Sequence, residues 1–359
     1  MSDTICILGC GGFIGSHLLE RILARTDKKV IGIDIVSGKI RHLLQHKNLT
    51  FVNLNIYDNT RVRAYIEQSD TVISLVALCN PSLYNTIPLS VIDINFSRPL
   101  SLVESCSEMG KWLIHFSTCE IYGKTAASLC NDSSKERDQA LYLLNEDTSP
   151  LIMGPIKAQR WSYACAKQLL ERVIYAYGFE RALKYTIVRP FNYIGPRMDY
   201  LPGIDGEGVP RVLACFMEAL LKNKPLKLVD GGVNRRCFTY IDDAVDAVMA
   251  MLEKPQQALG QIFNVGNPSN EATIADLAHT MVRIYKELRP EMKNENFTIE
   301  NVSSREFYGE GYEDSDRRVP DITKAAVLLG WKPETSLEQA LRSTIKAYID
   351  TYAGMSAAA

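Results

Sequence analysis

No stretch of about eighteen consecutive apolar residues occurs in the 359-residue chain, so no membrane-spanning helix is expected. Nor is there a block of like charge: 40 Lys and Arg against 42 Asp and Glu leave a net charge of −2, without the field that draws nucleic acid or an anionic membrane. Internal repeats and low-complexity tracts are missing as well. The N-terminus runs into an apolar segment without a charged leader, which predicts a soluble, cytoplasmic protein. Nine cysteines are present, but their odd number and the lack of paired Cys-x-x-Cys or His spacing exclude a zinc site and a disulfide framework. No metal is expected, and most thiols should be small buried hydrophobes. With 46% hydrophobic and 23% charged residues, the chain can build one large or two moderate domains.

Thr4-Ile5-Cys6-Ile7-Leu8 is a continuous apolar run, as expected of a strand buried on both faces of a parallel sheet. Gly9-Cys10-Gly11-Gly12-Phe13-Ile14-Gly15 follows, and Ser16 to Leu23 reads as a helix. Glycines 9, 12 and 15 suit a tight turn, a close backbone approach to a pyrophosphate, and close helix packing. The helix N-terminus would face the anion. A second strand, Val30 to Asp34, ends in an acid placed to bond an adenosine ribose. Asp34 would repel a ribose phosphate and Ile35, not arginine, comes next, so NAD is favoured over NADP.

Strand-like and helix-like segments keep alternating, with strands at Phe51–Leu54, Thr71–Ala77 and Trp112–Phe116, a strand and loop over Tyr185–Asn192, and helices at Arg61–Gln68 and roughly Ser90–Met109. The pattern predicts an α/β fold with a doubly wound parallel sheet. Cys79-Asn80-Pro81 and Ser117-Thr118-Cys119-Glu120 fall just past carboxyl ends of strands, where such sheets bind ligands. Tyr163 and Lys167 open a helix four residues apart, so both side chains share one face. An ammonium beside a phenol favours the phenolate, giving a base for an alcohol that loses a hydride. Lys124 to Leu151 has no periodicity and reads as an insertion or flap over the site. Beyond Gly195 the density of Gly, Pro and Asp rises and helices (Val209–Leu221, Asp243–Leu252, Ile274–Leu288, Leu337–Tyr352) alternate with short strands. This predicts domains at 1–194 and 195–355, the second smaller and capping the first, with some segments returning. Arg235-Arg236 and Arg317-Arg318 lie near glycine-rich turns and could grip a diphosphate or carboxylate as bidentate forks.

In this order, the glycine fingerprint, Ser-Thr-x-Glu strand end, Tyr-x-x-x-Lys helix, Arg189-Pro190-Phe191-Asn192 and late arginines resemble the extended short-chain dehydrogenases of nucleotide sugars over nearly the whole chain. Gly154-Pro155, Gln159 to Tyr163, Leu226 to Gly232 and Tyr308 to Arg318 look like the UDP-glucuronate decarboxylases. Phe116 to Glu120, Arg160 to Lys167, Gly203 to Gly206 and Phe307 to Tyr312 are similar, almost residue for residue, to the UDP-apiose/UDP-xylose synthase family. Decarboxylases carry serine at Cys119 and a small residue at Cys79, and dehydratases carry aspartate at the first; apiose synthases have cysteine at both.

The resemblance implies a Rossmann domain with a smaller α/β domain for the UDP-sugar, NAD as cofactor, UDP-glucuronate as substrate, and a homodimer. It assigns the cofactor to Gly9, Gly12, Phe13, Ile14, Gly15, Asp34, Ile35, Tyr163 and Lys167. Catalysis falls to Tyr163, Lys167, Thr118, Glu120 and Arg318, with Cys79 and Cys119 added for a ring contraction that yields UDP-apiose beside UDP-xylose. Tyr84, Arg160, Asn192, Lys227, Arg235, Arg236, Tyr312 and Arg318 would line the UDP-sugar site. Two alternatives stay open at this point: a plain UDP-glucuronate decarboxylase forming UDP-xylose or a UDP-4-keto-pentose, and a noncatalytic NAD-binding sensor or scaffold.

Overall fold

A computed structural model of the protein describes residues 3–130, 138–206, 208–308 and 313–352. Apolar, β-branched runs form the strands β1 (Thr4–Leu8), β2 (Lys29–Asp34), β3 (Leu49–Asn53), β4 (Thr71–Ser74) and β5 (Trp112–Phe116). After a two-residue strand β6 (Leu143–Leu144) come β7 (Lys184–Pro190), β8 (Tyr193–Ile194), β9 (Leu226–Val229), β10 (Arg235–Cys237), β11 (Thr239–Tyr240) and β12 (Gln261–Val265). The last strands are β13 (Glu271–Thr273), β14 (Ile299–Val302) and β15 (Arg317–Pro320).

The central sheet has seven strands in the order β12-β7-β5-β4-β1-β2-β3, every pair parallel. Its helices are α1 (Phe13–Arg25), α2 (Asn59–Glu67), α3 (Pro88–Ile92), α4 (Leu100–Glu108) and α5 (Ser162–Arg181). One face packs on α1, and the other on α2, α4 and α5, through side chains such as Ile5 and Ile7 on one side and Cys6 and Leu8 on the other. Each such fully buried aliphatic side chain contributes about 1.5–3 kcal/mol. The strand order reverses between β1 and β4, which opens a crevice at their carboxyl ends.

A second core is built by α6 (Val212–Leu221), α9 (Ile274–Leu288) and the Leu337–Tyr352 helix, with α7 (Ile241–Glu253) and α8 (Pro255–Ala258) lying between α6 and α9 in the chain. α7 returns to pack on α1, and β12 returns to the edge of the main sheet. A four-stranded sheet, β13-β10-β15-β6, closes the crevice from this side.

Three expectations are corrected. The single helix over Ser90–Met109 is two, α3 and α4, parted by a wider turn over Asp93–Ser97 in which the Arg98 N–H reaches Asp93 O at 3.0 Å, ahead of Pro99. α6 begins at Val212, because Pro210 and the extended Arg211 precede it. The Lys124–Leu151 stretch, as far as it is described, is not a free flap. β6 pairs with β15, and Glu146 accepts the Asn264 N–H at 2.8 Å in the interior. No helix among the described residues is long and apolar enough to cross a membrane.

Candidate active site

The glycine turn is shaped by close contacts. Gly9 takes φ +92°. A Cβ on Gly15 would fall 2.0 Å from Gly9 O, and one on Gly11 would fall 2.0 Å from Val36 O. Gly12, by contrast, would meet only Gly9 O at 3.4 Å, so its face is open above the N-terminus of α1, whose first turn carries no acid. The Asp34 carboxylate accepts the Gly11 N–H at 2.9 Å and the Val36 N–H at 3.1 Å, which fastens the end of β2 to the turn. Ile35 beside it is exposed. An open helix N-terminus, a backbone no side chain obstructs, and a carboxylate at the next strand end fit a dinucleotide with a free ribose.

Across the crevice, α5 places Tyr163, Lys167 and Glu171 on one buried stripe, as the i, i+4, i+8 spacing dictates. Lys167 Nζ donates to Phe116 O at 2.8 Å, anchoring the base of α5 to the end of β5. Burial pushes its ammonium down to about 8. The Tyr163 ring stacks on Tyr84 at 4.9 Å between centroids, and the Thr118 hydroxyl is close enough to favour its charged form. Burial holds this phenol well above an ordinary tyrosine, Cys79 and Glu120 add to that, and Thr118 only partly offsets it. An ionised Tyr163 is therefore not its state in this structure.

Beside this group lies a lattice of charge. Arg160 grips Glu120 with two bonds, 2.6 and 3.0 Å long, and stacks over Tyr84 at 5.2 Å. Asp314 approaches Arg236 at 2.6 Å, Arg318 at 3.3 Å and Arg160 at 3.7 Å. Burial would raise Glu120, but Arg160 and Arg318 outweigh it and keep its carboxyl below the usual range. Asp314 is driven far down in the same way, by Arg236 and Arg160 against burial.

Register explains which arginines point inward. β10 and β15 are parallel neighbours with Arg235 opposite Arg317 and Arg236 opposite Arg318. Since side chains alternate along a strand, Arg236 and Arg318 face the crevice while Arg235 and Arg317 turn to Glu271 on the other face. Arg235 is thus placed away from the group it was expected to join.

Cys119 is buried at the end of β5, with its sulfur 3.9 Å from Arg318 Nη1. Cys79 is exposed, in the loop past the carboxyl end of β4. Burial pushes both thiols up, with Arg318 opposing it at Cys119 and Arg211 at Cys79. The lowered thiol expected beside a cation is therefore not found: desolvation wins.

Of these groups Glu120, Arg160, Arg236, Asp314 and Arg318 line a cavity of about 590 Å³, with Asn192 and Lys227, whereas Tyr84, Cys79, Thr118, Cys119, Tyr163 and Lys167 are not in its wall. Tyr312 lies outside the described residues. Arg318 Nε is buried with no hydrogen-bond partner among those described, an N–H positioned for an anion. Asp314, at the centre of the lattice, escaped the sequence reading; its sole signal was an acidic run just ahead of Arg317-Arg318. Arg211 escaped too: it pairs with Asp199 at 2.9 Å and stands over Phe13 of the glycine turn at 5.7 Å.

Fold and site together define a nucleotide-sugar enzyme of the short-chain dehydrogenase type, and the chain belongs to the NAD dependent epimerase/dehydratase family, whose model matches residues 5–266. It is 53% identical to UDP-D-apiose/UDP-D-xylose synthase 1 of Arabidopsis thaliana, over 98% of this chain and 92% of that one. The UDP-D-apiose/UDP-D-xylose synthase of Oryza sativa subsp. japonica is 52% identical over 97% and 90%. Among solved structures, the PbgP3 protein of Burkholderia pseudomallei matches with a TM-score of 0.82 and 34% identity, covering 99% of this chain and 98% of that chain.

Proposed function

We propose that the protein converts UDP-glucuronate to UDP-apiose and UDP-xylose, working as a cytoplasmic homodimer without nucleic-acid or membrane partners. Residues 1–194, with the strand and helices that return to them, hold NAD, and 195–355 mainly hold the UDP-sugar. The observation that carries the reading is the buried Cys119 sulfur 3.9 Å from Arg318 Nη1 at the end of β5, with Cys79 exposed past the end of the neighbouring strand β4.

Gly9, Gly12, Phe13, Ile14, Gly15, Asp34 and Ile35, with Tyr163 and Lys167, would hold NAD, which when bound would supply the hydride acceptor for carbon 4 of the sugar and afterwards the hydride donor. Tyr163 accepts the proton of the 4-hydroxyl, with Thr118 and Lys167 favouring the charged form. Arg318 holds the sugar carboxylate, which leaves as CO₂ once a ketone stands β to it. Glu120 is kept ionised by Arg160, so it acts as a base or orients water and does not donate a proton in this state. Cys79 and Cys119 exchange protons at the oxygens of carbons 2 and 3 while the bond between those carbons breaks and carbon 4 bonds to carbon 2 in its place, which contracts the ring and leaves carbon 3 outside it as an aldehyde to be reduced by the returned hydride. Arg160, Arg236 and Lys227 complement the diphosphate and uronate, Tyr84 and Asn192 shape the sugar's surroundings, and Tyr312 belongs to the same segment as Arg318.

UDP-glucuronate labelled at the carboxyl carbon tests this. Label should appear as CO₂ with the wild-type protein and fall at least a hundredfold in Tyr163→Phe. No release from the NAD-loaded wild type would overturn the reading and leave a noncatalytic NAD binder.

A further inference from the structure

The wider turn over Asp93–Ser97, which parts α3 from α4, has one buried residue, Asn95. Turns with this extra residue gather at functional sites. Asn95 stands four residues after Val91, so the two share a buried face. Its amide makes three bonds: Nδ2 donates to Val91 O at 2.8 Å and to Leu78 O at 3.0 Å, while Oδ1 accepts the Leu78 N–H at 3.2 Å. The first is a bond to the preceding helical turn, which other short polar side chains also make. The other two form a reciprocal pair with Leu78, which lies four places past the end of β4 and so outside its ladder. Asn95 gives the Leu78 backbone the donor and acceptor that a neighbouring strand would otherwise supply.

Leu78 immediately precedes Cys79, and its side chain packs on the cluster of Tyr84, Val91 and Tyr163. One residue is thus pinned by Asn95 through its backbone and seated against the Tyr163 cluster through its side chain. On the other side of Cys79, Asn80 accepts the Ser82 N–H at 3.1 Å and opens the short turn Pro81–Leu83, and Asn80, Pro81 and Ser82 all stand in the cavity wall. Cys79 is held between two anchored neighbours. We infer that Asn95 sets the place of Cys79 relative to Tyr163, and with it the share of the decarboxylated sugar that enters ring contraction instead of direct reduction. Asn95 is a positioning residue that acts through Leu78 and Cys79, and the inference rests on the proton-relay role proposed for that thiol. Both products need the same oxidation and loss of CO₂; only contraction needs the thiol at the oxygens of carbons 2 and 3. A misplacement of about 1 Å costs up to about a hundredfold at such a step.

The test is Asn95→Ser in the full chain. Serine keeps a bond to Val91 O, one helical turn back, but is too short to span to Leu78. From UDP-glucuronate and NAD⁺, the ratio of UDP-apiose to UDP-xylose, read by NMR with the cyclic phosphate counted as apiose, should fall roughly tenfold while CO₂ release stays within about threefold of the wild type. The surviving CO₂ release also shows that the variant folds. Asn95→Asp keeps the acceptor for the Leu78 N–H and should give an intermediate ratio; it carries the test if the serine variant does not fold. In a second assay without sugar, iodoacetamide should label Cys79 about threefold faster in Asn95→Ser, because release of the loop relieves the burial that raises this thiol. An unchanged ratio overturns the inference, including the case in which both products fall together, the mark of a merely structural role. Unchanged labelling of Cys79 overturns it as well. A wild type that forms no UDP-apiose defeats the proposed function instead, and the labelling then decides by itself whether Asn95 places the thiol.

Discussion

Asp314→Asn tests the charge lattice. Asp314 sits 2.6, 3.3 and 3.7 Å from three guanidiniums, and its side chain is 17% exposed. Removing one member of a buried ion pair costs about 3–5 kcal/mol, because the partner charge is left uncompensated. Asparagine keeps the volume and one acceptor oxygen, which places the loss near the lower end, about 3 kcal/mol. Unfolding entropy of about 2.1 cal/mol/K per residue gives about 0.75 kcal/mol/K for 359 residues, hence a Tm lower by about 4 °C. Ligand should offset part of the effect. UDP-glucuronate brings a carboxylate and a diphosphate to the freed arginines, so its affinity should rise several-fold, and the Tm gap should narrow at saturation. Differential scanning fluorimetry with and without UDP-glucuronate reads both. An equal Tm loss in the two conditions, or weaker binding by the variant, would refute the idea that Asp314 neutralises cations meant for the substrate.

Other outcomes follow from the same geometry. Lys167 loses its proton near pH 8 when folded but about 10.4 when unfolded, so between these values the unfolded chain binds more protons. This group's contribution to stability therefore rises with pH over that window while product formation falls, and in Lys167→Met the stability trend should vanish; a rate still climbing at pH 9.5 would contradict the assignment. Gly15→Ala puts a Cβ 2.0 Å from Gly9 O, so NAD affinity measured by fluorescence titration should drop at least tenfold. Arg189 binds Glu171 at 2.7 Å and the Tyr122 hydroxyl at 2.7 Å in the interior. Arg189→Met should cost about 3–5 kcal/mol, and Glu171→Met in the same chain should recover much of it.

The parallel sheet and the glycine turn were readable because local rules fix them: continuous apolar runs for strands buried on both faces, and glycines where any Cβ would collide. The helices Ile274–Leu288 and Leu337–Tyr352 were equally plain from their periodicity. The break between α3 and α4 was not, since a proline at the start of a helical turn is compatible with either reading. In the site, Tyr163, Lys167, Thr118 and Glu120 could be named from spacing and resemblance. What spacing could not reveal was partnership. The Glu120–Arg160 grip joins residues forty apart, while the inward Arg236 and Arg318 and the outward turn of Arg235 depend on the register between β10 and β15, whose residues are some eighty apart in the chain. The ionisation states were illegible for the same reason. Burial, a property of the fold, outweighs the neighbouring cations at Cys79 and Cys119, whereas at Glu120 the cations win.

The most direct test is the product mixture from UDP-glucuronate and NAD⁺, identified by NMR for the wild type, Cys79→Ala and Cys119→Ser. The account predicts UDP-apiose, or the cyclic phosphate it decays to, beside UDP-xylose from the wild type. Loss of the apiose products from both variants while CO₂ release persists would place the thiols in the ring contraction. UDP-xylose alone from the wild type would contradict it, and would leave a decarboxylase in which both cysteines only fill space.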